Sequence, residues 1–549
     1  METMLDEAGM KRPHWAVLTL FLLILVAVMG SLPLLKGAFY LGKHEGDTMH
    51  LAELVLRMAD GQWPHLDFMT PIGVLALAPI AIFVKLGAGL GHAIFYGQIL
   101  VALALLFPVL RVGVSRLTGI WPYFFGAIVM TLCLALVHGE AQSAVSISMH
   151  YNRWAWAISY IVIPLAILAP VGRPMPKLDG TLIGLGMAAL VLIKVTYFAA
   201  FAPGVLVAML ARRQFSSILA ALIAGLVVAG FVTLLGGVDF WLAYLGDLQT
   251  VSGSDVRPQP GEEFSGVIAA PLYMGASLTL IAAVIFLRQA GRSVEGLAML
   301  LLMPGFFFVA YQNFGNDPQW LYLVAMLAFI LRPSGLMTNG LGWDLRGSLT
   351  TVGVLALAFG APSAINLAYS PWRHLAADTE DTVPLLSGQP VHHDVLTIGS
   401  RLYRVNIARA EDRPGSLFAS YRERAEREDE AVLNGEVLDE CLLESGMSAW
   451  FEVVTADLEE AGYAGAHLMG TDLFSAYWLF GDFQPVKGAA PWYYGGLSGV
   501  ENADYLVVPT CPMATNIRLG MLESLTEDGW ALREVRRTPL YILIDPSAP

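Results

Sequence analysis

Long apolar runs limit what this chain can fold into. Residues 15–35, 92–110, 120–137, 154–170, 216–235, 271–287, 297–312, 320–331 and 349–366 contain no Asp, Glu, Lys or Arg. A helix that crosses a bilayer needs about 20 largely apolar residues. Residues 181–212 are too long for one crossing and hold Lys194-Val195-Thr196-Tyr197 at their middle, so two short helices joined by a turn are expected there. Charged residues make up 14% of the chain, against about 25% in soluble domains, which excludes an ordinary soluble enzyme. The apolar runs stop near residue 366. Residues 1–370 carry 19 Lys+Arg and 18 Asp+Glu, whereas residues 371–549 carry 13 and 28, a net charge of −15. So acidic a tail excludes nucleic acid as a partner. The expected architecture is a polytopic α-helical membrane module over 1–370 and a soluble acidic α/β domain over 371–549.

Basic loops stay on the cytoplasmic side of a membrane. Lys11 and Arg12 place the N-terminus there, and Arg111/Arg116, Arg173/Lys177, Arg212/Arg213, Arg288/Arg292 and Arg332/Arg346 mark further inside loops. These agree with one another only if residues 72–86, fifteen residues holding Pro79, rest on the outer leaflet instead of crossing. The map then has eleven crossings, the N-terminus in the cytoplasm and the tail extracytoplasmic, as for a multi-pass protein of the plasma (inner) membrane. The first run lacks a small-residue cleavage site and reads as a retained anchor.

On this map the polar residues near the membrane gather outside. The first outside loop (residues 36–91) contains His44, Asp47, His50, Trp63 and Asp67, and its residues 51–58 have the spacing of an amphipathic helix lying in the interface, stopped by Gly61 and Pro64. Other outside loops carry Glu140, His150, Tyr151, Asn152, Arg153, Lys194, Asn316, Asp317 and Trp320. Charge at membrane depth is costly, so charged groups collected at helix mouths on one side are functional candidates.

Asp47 just after the first crossing, an amphipathic helix ending in Gly61, and then Pro64-x-x-Asp67-Phe68-x-x-Pro71-x-Gly73 resemble the first outside loop of the GT-C glycosyltransferases. These polytopic enzymes take a sugar from a polyprenyl-phosphate carrier, as protein mannosyltransferases and aminoarabinose transferases do. The resemblance spans residues 14–366 and includes the number of crossings, the Lys194–Tyr197 turn and the soluble C-terminal domain. Where several members carry Asp-Glu, this chain has Asp47-Thr48. The resemblance implies transfer of a sugar to a lipid, glycan or protein acceptor, with inversion at the anomeric carbon.

The chemistry assigns roles to these residues. A general base must take the proton of the acceptor hydroxyl, and a carboxylate suits that role; Asp47 is the candidate. Cations must stabilise the leaving lipid phosphate. Lys194 and Arg153 are placed for this, with His50 and His150 as hydrogen-bond donors. Trp63, Tyr151 and Trp320 are candidates to stack on sugar faces, Asp67, Asn152, Glu140, Asn316 and Asp317 to bind substrate, and a groove beside residues 72–86 to hold the lipid. Each has a plainer alternative. Asp47 suits a helix N-cap, Lys194 a snorkelling side chain, Arg153 an ion pair with Glu140, and Asp67, Asn316 and Asp317 turns. Asp47, His50, Glu140 and His150 are chemically adequate ligands for a divalent cation, without a diagnostic spacing. A transporter or flippase of lipid-linked glycans and a non-catalytic scaffold are the competing classes; the crossings hold few mid-membrane charges and no repeat, which disfavours the transporter.

In the tail, helices are expected over 401–430, 436–461 and 515–525, with strands at 466–469, 504–508, 531–535 and 540–544. Neither a Gly-x-Gly-x-x-Gly nor a P-loop pattern is present. Asp472, Trp492, Tyr493 and Tyr494 read as packing residues more than as acceptor contacts. Cys441 and Cys511 both lie outside, where a bridge is permitted, and Cys133 lies within a crossing.

Overall fold

The computed structural model describes residues 12–139, 142–254, 264–312, 317–424, 427 and 429–548. Seven of its helices are long and apolar enough to cross a membrane, and four shorter ones are also apolar. Call the side on which the C-terminal region sits the tail face. Helix α1 (Trp15–Lys36) ends there, because Lys36 Nζ donates to the Ala377 carbonyl at 2.6 Å. Strand β1 (Phe39–Leu41), α2 (Glu45–Ala59) and α3 (Val74–Lys85) follow on the same face. Helix α4 (Leu90–Arg116) starts on it, with Asp394 of the tail accepting from the Gly91 and His92 amides at 3.0 and 2.9 Å. It ends on the far face, where Arg116 pairs with Asp179 at 2.8 Å.

The later helices alternate in direction. Helix α5 (Trp121–Leu134) returns to the tail face and α6 (His150–Ile167) leaves it. Helix α7 (Pro176–Ile193) comes back and α8 (Val195–Ala211) departs again. Lys194 sits between these two in extended backbone (φ −156°, ψ 104°), as expected of the turn. Helix α9 (Phe215–Gly236) leads to α10 (Asp239–Ser252) on the tail face. Then come α11 (Phe264–Ala269), α12 (Pro271–Gln289), α13 (Ser293–Gln312), α14 (Leu321–Leu331) and α15 (Leu345–Leu375), and the last delivers the chain to the tail. Both flanks of α3 are tied to the tail face: the Gly73 amide donates to Ile193 at 3.1 Å, and α4 begins five residues after Lys85. Gly73 is required there, since a Cβ on it would meet the Leu192 carbonyl at 2.2 Å.

The tail contains β2 (Thr382–Pro384), β3 (Val395–Ile398), α16 (Gly399–Leu402), β4 (Asn406–Arg409), β5 (Val432–Leu433), β6 (Glu436–Val437) and β7 (Cys441–Ser445). It continues with α17 (Met447–Glu460), β8 (Leu468–Gly470), β9 (Tyr505–Pro509), α18 (Thr515–Glu527), β10 (Ala531–Arg537) and β11 (Tyr541–Ser547). A mixed sheet in the order β10-β11-β9-β8 forms its centre, and a disulfide joins Cys441 to Cys511. Of the helix expected over 401–430 the described residues form only α16 and a 3-10 turn at Ala419–Arg424, whereas the helix expected over 436–461 forms in its second half, as α17, after β6 and β7. Glycines with positive φ at 415, 435 and 446 break the chain, and the charges that suggested helix faces are used in ion pairs such as Arg422 with Glu430 and Glu440.

Helix α2 departs from the interfacial placement that its amphipathic spacing suggests. It does not lie on a lipid surface, for Thr48 through Arg57 are all buried. One side packs on the helical bundle and the other is covered by the tail. Glu53 and Arg57, which look like the polar face of an interfacial helix, form an ion pair of 3.0 Å with side chains only 1% exposed. Trp478 Nε1 donates to Glu53 at 3.3 Å and Arg57 donates to the Val486 carbonyl at 3.0 Å. Strand β1 pairs in parallel with β3, so the first loop and the tail share a sheet as well as a core.

Removing one partner of a sealed ion pair leaves an uncompensated charge. Arg57→Met is expected to cost about 3–5 kcal/mol of stability, read as a lower unfolding midpoint of the detergent-solubilised protein. The double variant Glu53→Gln/Arg57→Met should recover part of the loss. A wild-type midpoint for the single variant would show that the pair does not seat the tail.

Candidate functional site

Asp47 lies in the first turn of α2. That turn begins at His44, held in the left-handed region (φ 68°) with its Nδ1 3.0 Å from Ser146 Oγ. Asp47 does not serve as the N-cap. Its Oδ2 accepts from Ser148 Oγ at 2.7 Å, across from the segment between α5 and α6. Asp47, His50, Ser148, Tyr151, Trp492 and Tyr494 line a narrow space of about 30 Å³. Beside it is a chamber of about 690 Å³ lined by Lys194, Thr196, Gln249, Ser252, Tyr311 and Gln312, among others. Ile72, Met149, Tyr151 and Tyr494 line both spaces. Asp47 and Lys194, 147 positions apart in the chain, therefore border adjoining cavities on one face.

The break between α7 and α8 puts Lys194 at a helix mouth. Its Nζ donates to Asn152 Oδ1 at 3.1 Å and stands 5.3 Å from the centre of the Tyr151 ring. Asn152 and Tyr151 belong to the first turn of α6, so the expected binding residues Lys194, Asn152 and Tyr151 form one cluster. The chamber wall also includes α10, which is pinned to the first loop through Asp247. The Asp247 carboxylate accepts from His65 Nδ1 at 2.8 Å and from the Thr70 amide at 3.0 Å. Burial pushes this carboxyl above its ordinary range, and those two donors act in the opposite sense.

Other expected site residues lie elsewhere. Arg153 is fully buried and donates to the carbonyls of Val137 and, at 2.9 Å, Ala135. It braces the segment before α6 and does not border the cavities. His150 is 1% exposed and donates through Nε2 to the Ala76 carbonyl at 2.9 Å, so it ties α6 to α3 at the edge of the narrow space. Asp67 accepts from the Trp63 amide at 2.8 Å, and its own carbonyl accepts from Gly488 at 2.7 Å. It is a turn residue on which the tail rests. Trp63 packs edge-on against Phe240 at 6.2 Å. Trp320 is wholly buried, stacked on Phe306 at 5.5 Å. Asp317 accepts through its carbonyl from the Gln319 amide at 2.8 Å, in the turn before α14. Glu140 and Asn316 lie outside the described residues, among which no three His, Cys, Asp or Glu side chains are grouped to hold a metal ion.

Ser148 escapes sequence reasoning, and the tail aromatics Trp492 and Tyr494, which read from sequence as packing residues, line the cavities. Nothing in the sequence signals that Ser148 faces Asp47. The Trp492-Tyr493-Tyr494-Gly495-Gly496 string is conspicuous, but its partner surface is more than 400 positions away. A second cavity, an apolar groove of about 460 Å³, runs between α7, α8 and α9, with Met187, Phe198 and Leu222 in its walls and Trp241 at its tail-face end.

No protein family model matches the chain, and neither a curated protein nor a solved structure matches it. Function is therefore to be read from the site itself.

Arg153 and Lys194 should separate in the laboratory. Arg153→Leu strands the buried Val137 carbonyl and leaves the Ala135 carbonyl with Gln98 alone, at about 1–3 kcal/mol for the unpaired group, and should lower thermal stability and yield. Lys194→Met, at a cavity wall, should unfold close to the wild type. Equal stability of the two variants would show that Arg153 is not a brace.

Proposed function

We propose that this protein is a multi-pass membrane glycosyltransferase of GT-C type. It moves a sugar from a polyprenyl-phosphate donor to a lipid, glycan or protein acceptor on the extracytoplasmic face of the plasma (inner) membrane. The observation that carries this reading is the convergence of Asp47 and Lys194, from distant stretches of chain, on adjoining cavities at one face. Orientation is supported by charge. Arg111, Arg116, Lys177, Arg212, Arg288 and Arg346 lie at helix ends on the face away from the tail, the pattern of a cytoplasmic side. The Cys441–Cys511 disulfide suits an oxidising compartment for the tail. The alternating helices support eleven crossings, with α3 lying along the outer leaflet.

In this reading the acceptor oxygen bonds to the anomeric carbon as the bond from that carbon to the phosphate oxygen breaks. Asp47 takes the hydroxyl proton, oriented by Ser148, and the sugar inverts in a single displacement. Lys194 neutralises the charge that builds on the departing lipid phosphate. Arg153 acts only through the backbone it braces. The apolar groove between α7, α8 and α9 suits the prenyl chain, because its walls include Leu192 and Phe198, two and four positions from Lys194.

Release of polyprenyl phosphate from a panel of short-chain polyprenyl-phosphate sugars tests the assignment. Asp47→Asn, which can still accept from Ser148, should lower kcat by about 10²–10⁴-fold while leaving donor binding and thermal stability intact. Lys194→Met should weaken donor binding by about 10- to 100-fold, the worth of a charge-assisted hydrogen bond. Full turnover in Asp47→Asn would sink the proposal.

A further inference from the structure

The tail crosses the mouth of the site as a strap of five residues, 492–496. At one end the Trp492 ring meets Phe474 edge-on at 4.9 Å and lies 5.5 Å from the His50 ring. Phe474 in turn packs on the first turn of α2, 3.5 Å from where a Cβ on Gly46 would stand. In the middle, the Tyr493 amide donates to the Leu473 carbonyl at 2.9 Å and its hydroxyl donates to the Gly496 carbonyl. Tyr494 lines both cavities. At the far end Gly495, at φ +139°, comes against α10, where a Cβ would lie 3.9 Å from Thr250. The strap thus bridges the Asp47 side and the α10 side.

Its effect is on width. The space at Asp47 encloses about 30 Å³, beside a chamber of about 690 Å³. The chamber is more than twenty times larger, so the narrow space suits a slim arm better than a sugar ring. A secondary ring hydroxyl brings two substituted carbons with it. A hydroxyl on a CH₂ arm brings one.

We propose that the strap Trp492–Gly496 is an acceptor gate that limits what reaches Asp47 to primary alcohols, an exocyclic or terminal CH₂–OH, and turns away secondary ring hydroxyls. This rests on the transferase reading for its chemistry. The primary hydroxyl loses its proton to Asp47 as its oxygen bonds to the anomeric carbon, and polyprenyl phosphate leaves with the electrons of the broken bond. Trp492 sets the width by packing against His50, and Tyr494 closes the roof; both are specificity-determining residues.

The gate can be tested without turnover. The native cysteines are either bridged (Cys441, Cys511) or buried (Cys133), so Asp47→Cys supplies one accessible thiol in the full-length protein. Its labelling by methyl and benzyl methanethiosulfonate is followed by intact mass, with rates normalised to glutathione. The methyl reagent should lead by about tenfold or more, and the lead should shrink to about twofold when Trp492→Ala, or independently Tyr494→Ala, is added. Equal rates in Asp47→Cys, or an unchanged lead in both double variants, would overturn the gate. In the wild type, transfer from the short-chain donors to ethanol should exceed transfer to 2-propanol by about tenfold, and equal transfer would overturn the acceptor assignment. Size-selective labelling with no cleavage of any donor would support the gate and overturn the transferase reading, along with the acceptor class derived from it.

Discussion

The Glu53–Arg57 ion pair, enclosed between the bundle and the tail, is the contact on which the arrangement of the tail face depends. A charged pair removed from water must have its remaining valences met. Here Trp478 and the Val486 carbonyl, both from the tail, and Gln62 of the first loop meet part of them, while Glu53 Oε2 has no partner among the described residues. Helix α2 is thereby clamped on two sides, and Asp47 at its start has a fixed position relative to the bundle. The same clamp brings the strap of residues 492–496 over the cavity, because Val486 and Trp492 belong to one short stretch of chain.

A second set of bonds fixes the opposite wall. The segment between α5 and α6 carries Ser146 and Ser148, the residues that hold His44 and Asp47. An irregular segment at the edge of a membrane must satisfy its backbone groups internally. Arg153 and Gln98 donate to its carbonyls, and its Leu136 amide donates to Ser370 on α15. A buried arginine that touches only main chain looks like a waste of charge until these carbonyls are counted. It keeps the serine that orients Asp47 in register, which gives it an indirect effect on any chemistry at that carboxylate.

The three spaces differ in shape and polarity. The largest has neutral hydroxyl and amide groups around Lys194, suited to a hydroxylated head with one negative group. The groove between α7, α8 and α9 is apolar and suited to hydrocarbon. The space at Asp47 is narrow because tail residues close it. The C-terminal region forms part of the wall of the candidate site and shares a core and the β1–β3 pairing with the first loop.

The sequence by itself determined the helical, membrane-crossing character of the first two thirds of the chain, the break at Lys194 and the α/β nature of the tail. Apolar run length, a lone polar cluster inside a run and alternating strand patterns are local signals, set by residues close together in the chain. It also singled out Asp47, Lys194, Asn152 and Tyr151, since polar groups beside apolar runs stand out. Only the tertiary structure decided which of the candidates meet. Arg153, Asp67 and Trp320 have the same residue types and sequence contexts as site residues, but they turn toward carbonyls, a turn and a ring stack. The fate of α2 was likewise hidden: an amphipathic helix presents one pattern whether its polar face meets lipid headgroups, water or, as here, a folded domain whose own residues complete the ion pair. The partners of that face lie some 430 positions along the chain, and no local pattern carries information over that distance.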